Sequence, residues 1–194
     1  MLNIALIVGS TRPNRFADRP KDWILDGAKT RTEFALQVLD LRDFKLPFFE
    51  EPMPPSFAKG VFTNPAAKAW GLRIAAADGF IALTPEYHHA LPAVLKNAFE
   101  SAYLEWIVKP IAFVGYGGVG AARAVENGRT VAVELQMAPI RAAVHIGLEP
   151  FLGVVRDGKK LDSYDYLNQA RTAMFDQLVW WGNALKAARA APAA

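Results

Sequence analysis

The chain has 194 residues, 52% of them hydrophobic, which is enough for a substantial core within the usual size of one domain. Its 22 Lys and Arg against 19 Asp and Glu leave a net charge of only +3, with the basic residues scattered, which argues against nucleic acid as the main partner. Cysteine is absent, so disulfides, thiolate nucleophiles, thiol redox couples and thiolate-bound metals are excluded, and any electron transfer needs a bound cofactor.

The opening run, residues 2–8, has no basic region ahead of it and leads straight into Gly-Ser-Thr-Arg, so it reads as a strand and not as a signal peptide. A helix over 16–29 follows, then a strand over 33–41 whose alternation suits a sheet edge. The segment 42–64, with Pro47, Pro52, Pro54 and Pro55, is too proline-rich for a regular element, and loops of this length are usually functional or mediate contacts. Helical spacing over 66–77 precedes a strand over 79–84. A helix over 92–106 comes next, with Pro92 suited to its first turn. A strand over 110–115, a helix over 121–135, a strand over 141–146 and a helix over 164–188 complete the pattern. Near-continuous apolarity in the first, third and fourth strands predicts burial on both faces. Such alternation predicts an α/β fold with helices around a parallel sheet, one domain over 1–189 and a frayed tail over 190–194. No apolar stretch approaches the roughly 18 residues of a membrane span, so a cytoplasmic protein with no membrane partner is expected.

Three loops at the carboxyl ends of predicted strands carry the chemistry. The first, Gly9-Ser10-Thr11-Arg12-Pro13-Asn14-Arg15-Phe16, offers a glycine for the turn, two hydroxyls, two arginines and the start of a helix, the parts of a phosphate site. It lacks the Gly-Lys-Ser/Thr of a Walker loop, which disfavours triphosphate hydrolysis. An ordinary strand-to-helix turn with solvated arginines is the competing reading.

The second loop is Thr84-Pro85-Glu86-Tyr87-His88-His89-Ala90-Leu91-Pro92. In an open parallel sheet it shares a rim with the first, where ligands bind at the switch in strand order. Tyr87 and the loop backbone suit the edge of a heterocycle, although a proline-bounded turn accounts for the same residues. His88 and His89 point in different directions in an extended loop, and His145 is the one further histidine, so no metal site is expected. Glu86 has no paired carboxylate in sequence, and hydrogen bonding or helix capping is its expected role. The third loop, Gly115-Tyr116-Gly117-Gly118-Val119-Gly120, matches GxGxxG, but it does not open the fold and the next strand ends without a ribose-holding acid. Glycines that let the backbone approach a flat ligand, with Tyr116 beside it, explain it better.

Taken together, GSTRPNRF, LRDFKLPFFEEP, TPEYHHALPAVLKNAFESAYLEW, KPIAFVGYGGVGAARAVE and ELQMAPIR make the chain resemble the NADPH-dependent FMN reductase family of flavodoxin-like proteins, which includes quinone, chromate and azo-dye reductases. The resemblance implies a three-layer sandwich with a five-stranded parallel sheet of order 2-1-3-4-5. It implies an FMN phosphate held by Ser10, Thr11, Arg12, Asn14, Arg15 and Phe16. It implies an isoalloxazine bordered by Pro85, Glu86, Tyr87 and His88, and a pocket completed by Tyr116, Gly117 and Gly118. NADPH or NADH is then the electron donor, with hydride passing to flavin N5 and on to a small-molecule acceptor such as a quinone or free flavin, and no side chain acts as a catalytic acid or nucleophile.

The chain departs from the family pattern at His88, where Asn is usual, and at Ala90, where Ser is frequent. Altered flavin affinity or redox potential is expected from these changes, because an imidazole replaces only part of an amide's hydrogen bonding. An FMN-binding electron carrier and a flavin-free regulatory or interaction protein are the alternative functions. Arg123 and Arg129 are candidates for contact with an anionic nucleotide, against a reading as surface charge. Assembly into a homodimer or homotetramer is expected from the resemblance and from Phe44, Phe48, Phe49, Trp70 and Trp106 in or beside irregular segments.

Overall fold

A computed structural model describes residues 1–58 and 60–191. Five strands, β1 (Leu2–Val8), β2 (Phe34–Asp40), β3 (Gly79–Pro85), β4 (Pro110–Tyr116) and β5 (Ala138–Ile146), form one parallel sheet in the order β2-β1-β3-β4-β5. Among the described residues six α-helices accompany it: α1 (Asp18–Ala28), α2 (Pro65–Ala75), α3 (Ala93–Glu100), α4 (Ala122–Glu134), α5 (Leu148–Arg156) and α6 (Asp165–Ala190).

Alternate residues of each strand feed two cores, as the period of two requires. Ile7, Phe80, Ala82, Ile111 and Phe113 meet Trp70 and Ile74 of α2, Leu95 and Phe99 of α3, and Val125 of α4 on one face. Ile4, Leu6, Val8, Ile81, Leu83 and Val114 meet Trp23 and Ile24 of α1 and Leu167, Met174, Phe175 and Leu178 of α6 on the other. Both faces are therefore covered, and β1, β3 and β4 are almost fully buried.

Several elements differ from the sequence expectation. β5 begins at Ala138 and includes Pro139, which an edge strand tolerates because one side has no ladder to break. α1 starts at Asp18, leaving Phe16 in the preceding turn. α3 stops at Glu100 instead of running to 106. The Ser101 hydroxyl takes the Asn97 carbonyl at 2.7 Å, and Val108 turns the chain with φ 57°. α5, with Glu149 in its first turn and Arg156 in its last, was not expected.

The far end of α6 closes over the start of the chain. Asp78 accepts from Lys186 Nζ at 2.8 Å, Arg189 Nη2 at 3.0 Å and the Asn3 backbone N–H at 3.0 Å, and Gly182 leaves room for Leu2. Of the expected 190–194 tail, Ala190 is the last helical residue and 192–194 lie outside the described residues. No helix among the described residues is long and apolar enough to cross a membrane.

Candidate functional site

The loops after β1, β3 and β4 leave the same edge of the sheet, around the β1/β3 switch in connection direction. Between them lies a cleft of about 670 Å³ lined by Ser10, Arg12, Asn14, Arg15 and Phe16, by Pro85, Glu86 and Tyr87, and by Tyr116 and Gly117. A wall from α5, with Phe151, Val154 and Val155, completes it. Thr11, His88 and Gly118 do not line this cleft. Thr11 faces a hollow on the β2 side, and His88 and Gly118 share a smaller recess with Arg123.

Gly9 starts the first loop by donating its N–H to Leu83 O at 2.8 Å, and a Cβ there would lie 2.8 Å from both that oxygen and Leu95 Cδ2. Only glycine lets β1 and β3 approach so closely at the switch. From Ser10 to Asp18 no backbone N–H has a protein acceptor among the described residues. Ser10 itself is 1% exposed, and its Oγ has no hydrogen-bond partner among the described residues. Unpaired buried donors are costly, so such a loop calls for a ligand or water. Arg12 and Arg19, both on the cleft and both outside any ion pair among the described residues, add positive charge.

Arg15, which the resemblance puts in the phosphate set, lines the cleft with its guanidinium engaged by protein groups. Its side chain is 1% exposed and its guanidinium is engaged by Asp40, by Asp18 at 2.8 Å, and by the Ser10 carbonyl. It braces the loop from behind. Burial alone would raise the Asp40 carboxyl, but hydrogen bonds from Arg15 and Arg42 outweigh it and hold this group well below the usual carboxylate range.

In the second loop, Tyr87 and Ala90 exchange backbone hydrogen bonds of 3.1 and 3.0 Å around His88 and His89, whose φ values are 51° and 67°. Positive φ at both central positions is the signature of a type I′ turn. His88 is exposed at its tip. Asn is among the side chains best tolerated in this conformation, so the turn backbone itself accounts for a preference for Asn at position 88. Glu86 caps α4, whose own N-cap residue is Ala121 with φ 55° and no side-chain bond. The Glu86 carboxylate accepts from the Arg123 N–H at 3.1 Å, the Ala124 N–H at 3.4 Å and Arg123 Nε at 2.5 Å. Burial would raise this carboxyl, but the Arg123 hydrogen bond and the helix amides hold it down. Arg123 is thereby committed, and Arg129 donates to the Ile140 and Arg141 carbonyls, so neither is a free nucleotide contact.

In the third loop, Tyr116 is 5% exposed and burial pushes its phenol up, so it stays neutral. Phe16 packs between Tyr116 and Phe151, with ring centroids 5.2 and 4.5 Å away. Gly117 has φ 140°, and a Cβ there would meet nothing within 4 Å, so its backbone is open to the cleft. Gly120, with φ 62°, lies against His145, where a Cβ would come 2.8 Å from the His145 Cβ, and His145 Nδ1 bonds the Gly120 carbonyl at 2.9 Å.

Residues 2–150 match the sequence profile of the NADPH-dependent FMN reductase family. The chain belongs to that family. It is 37% identical over 143 residues to an NAD(P)H-dependent FMN reductase of Schizosaccharomyces pombe, covering 73% of this chain and 72% of the relative. It is 31% identical over 143 residues to a 2-hydroxy-1,4-benzoquinone reductase of a Burkholderia species, covering 70% and 73%. Its fold superposes with a TM-score of 0.75 on FerB, a flavoenzyme NAD(P)H:(acceptor) oxidoreductase of Paracoccus denitrificans, at 20% identity and over 95% and 98% of the two chains.

In this member of the family the residues missed by sequence reasoning are Arg19, the brace partners Asp18 and Asp40, and the α5 wall. Phe151, Val154 and Val155 do show helical spacing, but in a nine-residue element that also holds Pro150 and Gly153. Asp40 left no local signal, because its partner is 25 residues away in sequence.

Proposed function

We propose that the cleft holds FMN and that the protein passes electrons from NAD(P)H to a small acceptor such as a quinone or free flavin. The observation that carries this reading is the Ser10 to Asp18 loop, with its unpaired amides and buried, unpartnered Ser10 hydroxyl at one end of a cleft walled by aromatic rings. These residues fit the group. The amides, Ser10, Asn14, Arg12 and Arg19 would hold a phosphate monoester, with the helix α1 dipole adding to their field. Arg15 acts indirectly by fixing the loop.

At the other end, Tyr87 and the open backbone of Gly117 would border a flat ring. Phe16, Tyr116 and Phe151 would keep one side dry, which strengthens hydrogen bonds made there. Bound FMN would supply the two-electron chemistry between nicotinamide and acceptor. Glu86 would do no proton transfer, since its carboxylate is held at the start of α4. The flavin-free alternative rests on His88 and Ala90, and the place of His88 in the recess with Arg123 speaks against it. The electron-carrier alternative has no relative among those compared above to favour it.

Assembly as a homodimer is part of this proposal, on the side of Phe48 and the proline-rich segment and not on that of the two tryptophans. Trp70 and Trp106 are fully buried, with Trp106 packed edge-on to Phe80 and Phe99 at 4.7 and 5.4 Å. Phe48, Met53, Phe57 and Val61 of the proline-rich segment are exposed apolar residues close together in sequence, beside others such as Leu72 and Trp180 elsewhere.

The test is the visible spectrum of the FMN-loaded protein under anaerobic NADPH. Bleaching of the flavin band is expected, and its absence would refute the reading. Light scattering that gives a monomer at micromolar concentration would refute the dimer.

A further inference from the structure

The recess between the second and third loops is continuous with the ring end of the cleft. Its volume is about 360 Å³, and Glu86 and Gly117 line both spaces, whereas no residue of the Ser10 to Asp18 loop lines it. His88 and His89 enter it from the second loop, and Gly118 and Arg123 from the third loop and the start of α4. Tyr87 lines the cleft and His88, the next residue, lines the recess, so consecutive residues serve the two spaces. We propose that the recess receives an anionic substituent of a quinone whose ring lies in the cleft, with His88 and His89 as specificity-determining residues that favour anionic over neutral acceptors. This rests on the reading of the protein as a reductase of small acceptors. In the overall reaction NAD(P)H and one proton reduce the quinone to its hydroquinone and leave NAD(P)+, so the recess only binds and orients the substituent.

The lining is rich in donors and holds no free acid. Among the described residues His145 is the one histidine with a ring hydrogen bond, so the exposed rings of His88 and His89 keep their N–H groups for a ligand. Each ring offers at least one such donor in either protonation state. The Gly118 and Val119 amides also donate to no protein acceptor among the described residues. A Cβ at Gly117 or Gly118 would meet nothing within 4 Å, so bare backbone faces the space and a substituent can approach these amides closely. Glu86 is the one acid in the lining, and its carboxylate is closed on the Arg123 and Ala124 N–H groups at 3.1 and 3.4 Å and on Arg123 Nε at 2.5 Å. That pair is close to neutral, and Arg123 is spent on it, which leaves selection to the two imidazoles and the free amides. The backbone exchange between Tyr87 and Ala90 fixes the turn that carries both rings. Hydrogen bonds to an ionised oxygen are about twice as strong as neutral ones, which is why this donor set distinguishes a carboxylate from an ester.

The probes are a 1,4-naphthoquinone carrying a carboxyethyl chain and its methyl ester, which share one ring and differ in the charge of the chain. They are applied to wild type, H88N/H89N and H88D/H89D, since Asn and Asp both tolerate positive φ and keep the turn. In the first arm, titration calorimetry without electron donor should show wild type binding the acid about tenfold more tightly than the ester. In the second, the acid-to-ester ratio of kcat/KM on FMN-loaded enzyme should be about ten in wild type, and each ratio is internal to one protein, so loss of active enzyme cancels. Both preferences should fall several-fold in H88N/H89N and invert in H88D/H89D. Equal binding and use of the two probes by wild type would overturn the assignment. A preference retained in both variants would put the anion beside Arg12 and Arg19 and overturn it as well. If NADPH bleaches the flavin and the two quinones are bound and used equally, this inference fails and the reductase reading stands. If the acid binds selectively through the histidines and nothing bleaches, the reductase reading fails and the anion recess stands.

Discussion

Asp40, the last residue of β2, holds both terminal nitrogens of Arg15 and so ties the end of one strand to the loop that follows its neighbour. The pair sits behind the anion cradle, and the Arg15 side chain is buried. Removing one partner leaves the other uncompensated in a poorly solvated place. Asp40→Asn should therefore cost about 2–4 kcal/mol in urea denaturation at neutral pH and weaken FMN retention, although neither residue is placed against the flavin.

The same pair has a pH signature. The Asp40 carboxyl titrates lower in the folded state than in the unfolded chain, so its contribution is complete above about pH 4 and is lost as pH falls from there through the folded value. Stability measured from pH 7 down to pH 3 should decline less steeply in Asp40→Asn than in the wild type.

Lys109 gives the opposite limb. Its ammonium donates to the Ile74 and Ala75 carbonyls at 2.8 and 3.0 Å at the end of α2, yet burial pushes it down to about 8. Between about pH 8 and the unfolded value near 10.4 the unfolded chain binds more protons, so stability should rise with pH in that window. Lys109→Met should flatten that rise in chemical denaturation curves, and an unchanged slope would count against it.

Gly9→Ala should destabilise by about 1–3 kcal/mol, because the added Cβ meets a backbone oxygen of β3 that cannot swing aside. Thermal unfolding together with flavin content should show both stability and cofactor retention reduced.

His88→Asn tests where the loss of the family's Asn matters. If position 88 acts through its backbone, the variant should gain up to about 0.5–1 kcal/mol, since Asn adopts positive φ more readily, and its flavin affinity should stay within about twofold of wild type. A large rise in flavin affinity would instead put the side chain at the ring.

The sheet was legible because its central strands are nearly pure Ile, Val, Leu, Phe and Ala, a pattern that needs no partner to be recognised. The three rim loops were legible for a related reason, since glycine, proline and hydroxyl residues at strand ends are local features. Pairings across distance were not. Sequence displays the charge of Arg15 and hides Asp40, which holds it. The burial of Trp70 and Trp106 was not legible, because a lone tryptophan beside a long irregular segment shows no partner in sequence, while tertiary packing seats both in the core. Glu86 was anticipated as a cap, but the helix it caps begins more than 30 residues later.

The ion cluster at Asp78 joins the last helix to the first strand, and α6 supplies much of the cover for the sheet face that includes β1 and β4. A ribosome makes β1 well before this cover. During synthesis the Leu2, Ile4 and Leu6 side of β1 therefore waits for Leu167 to Leu178 to emerge, and one apolar face of the nascent sheet stays accessible until then. Emergence of α6, and not completion of the three rim loops, is what closes this face of the sheet.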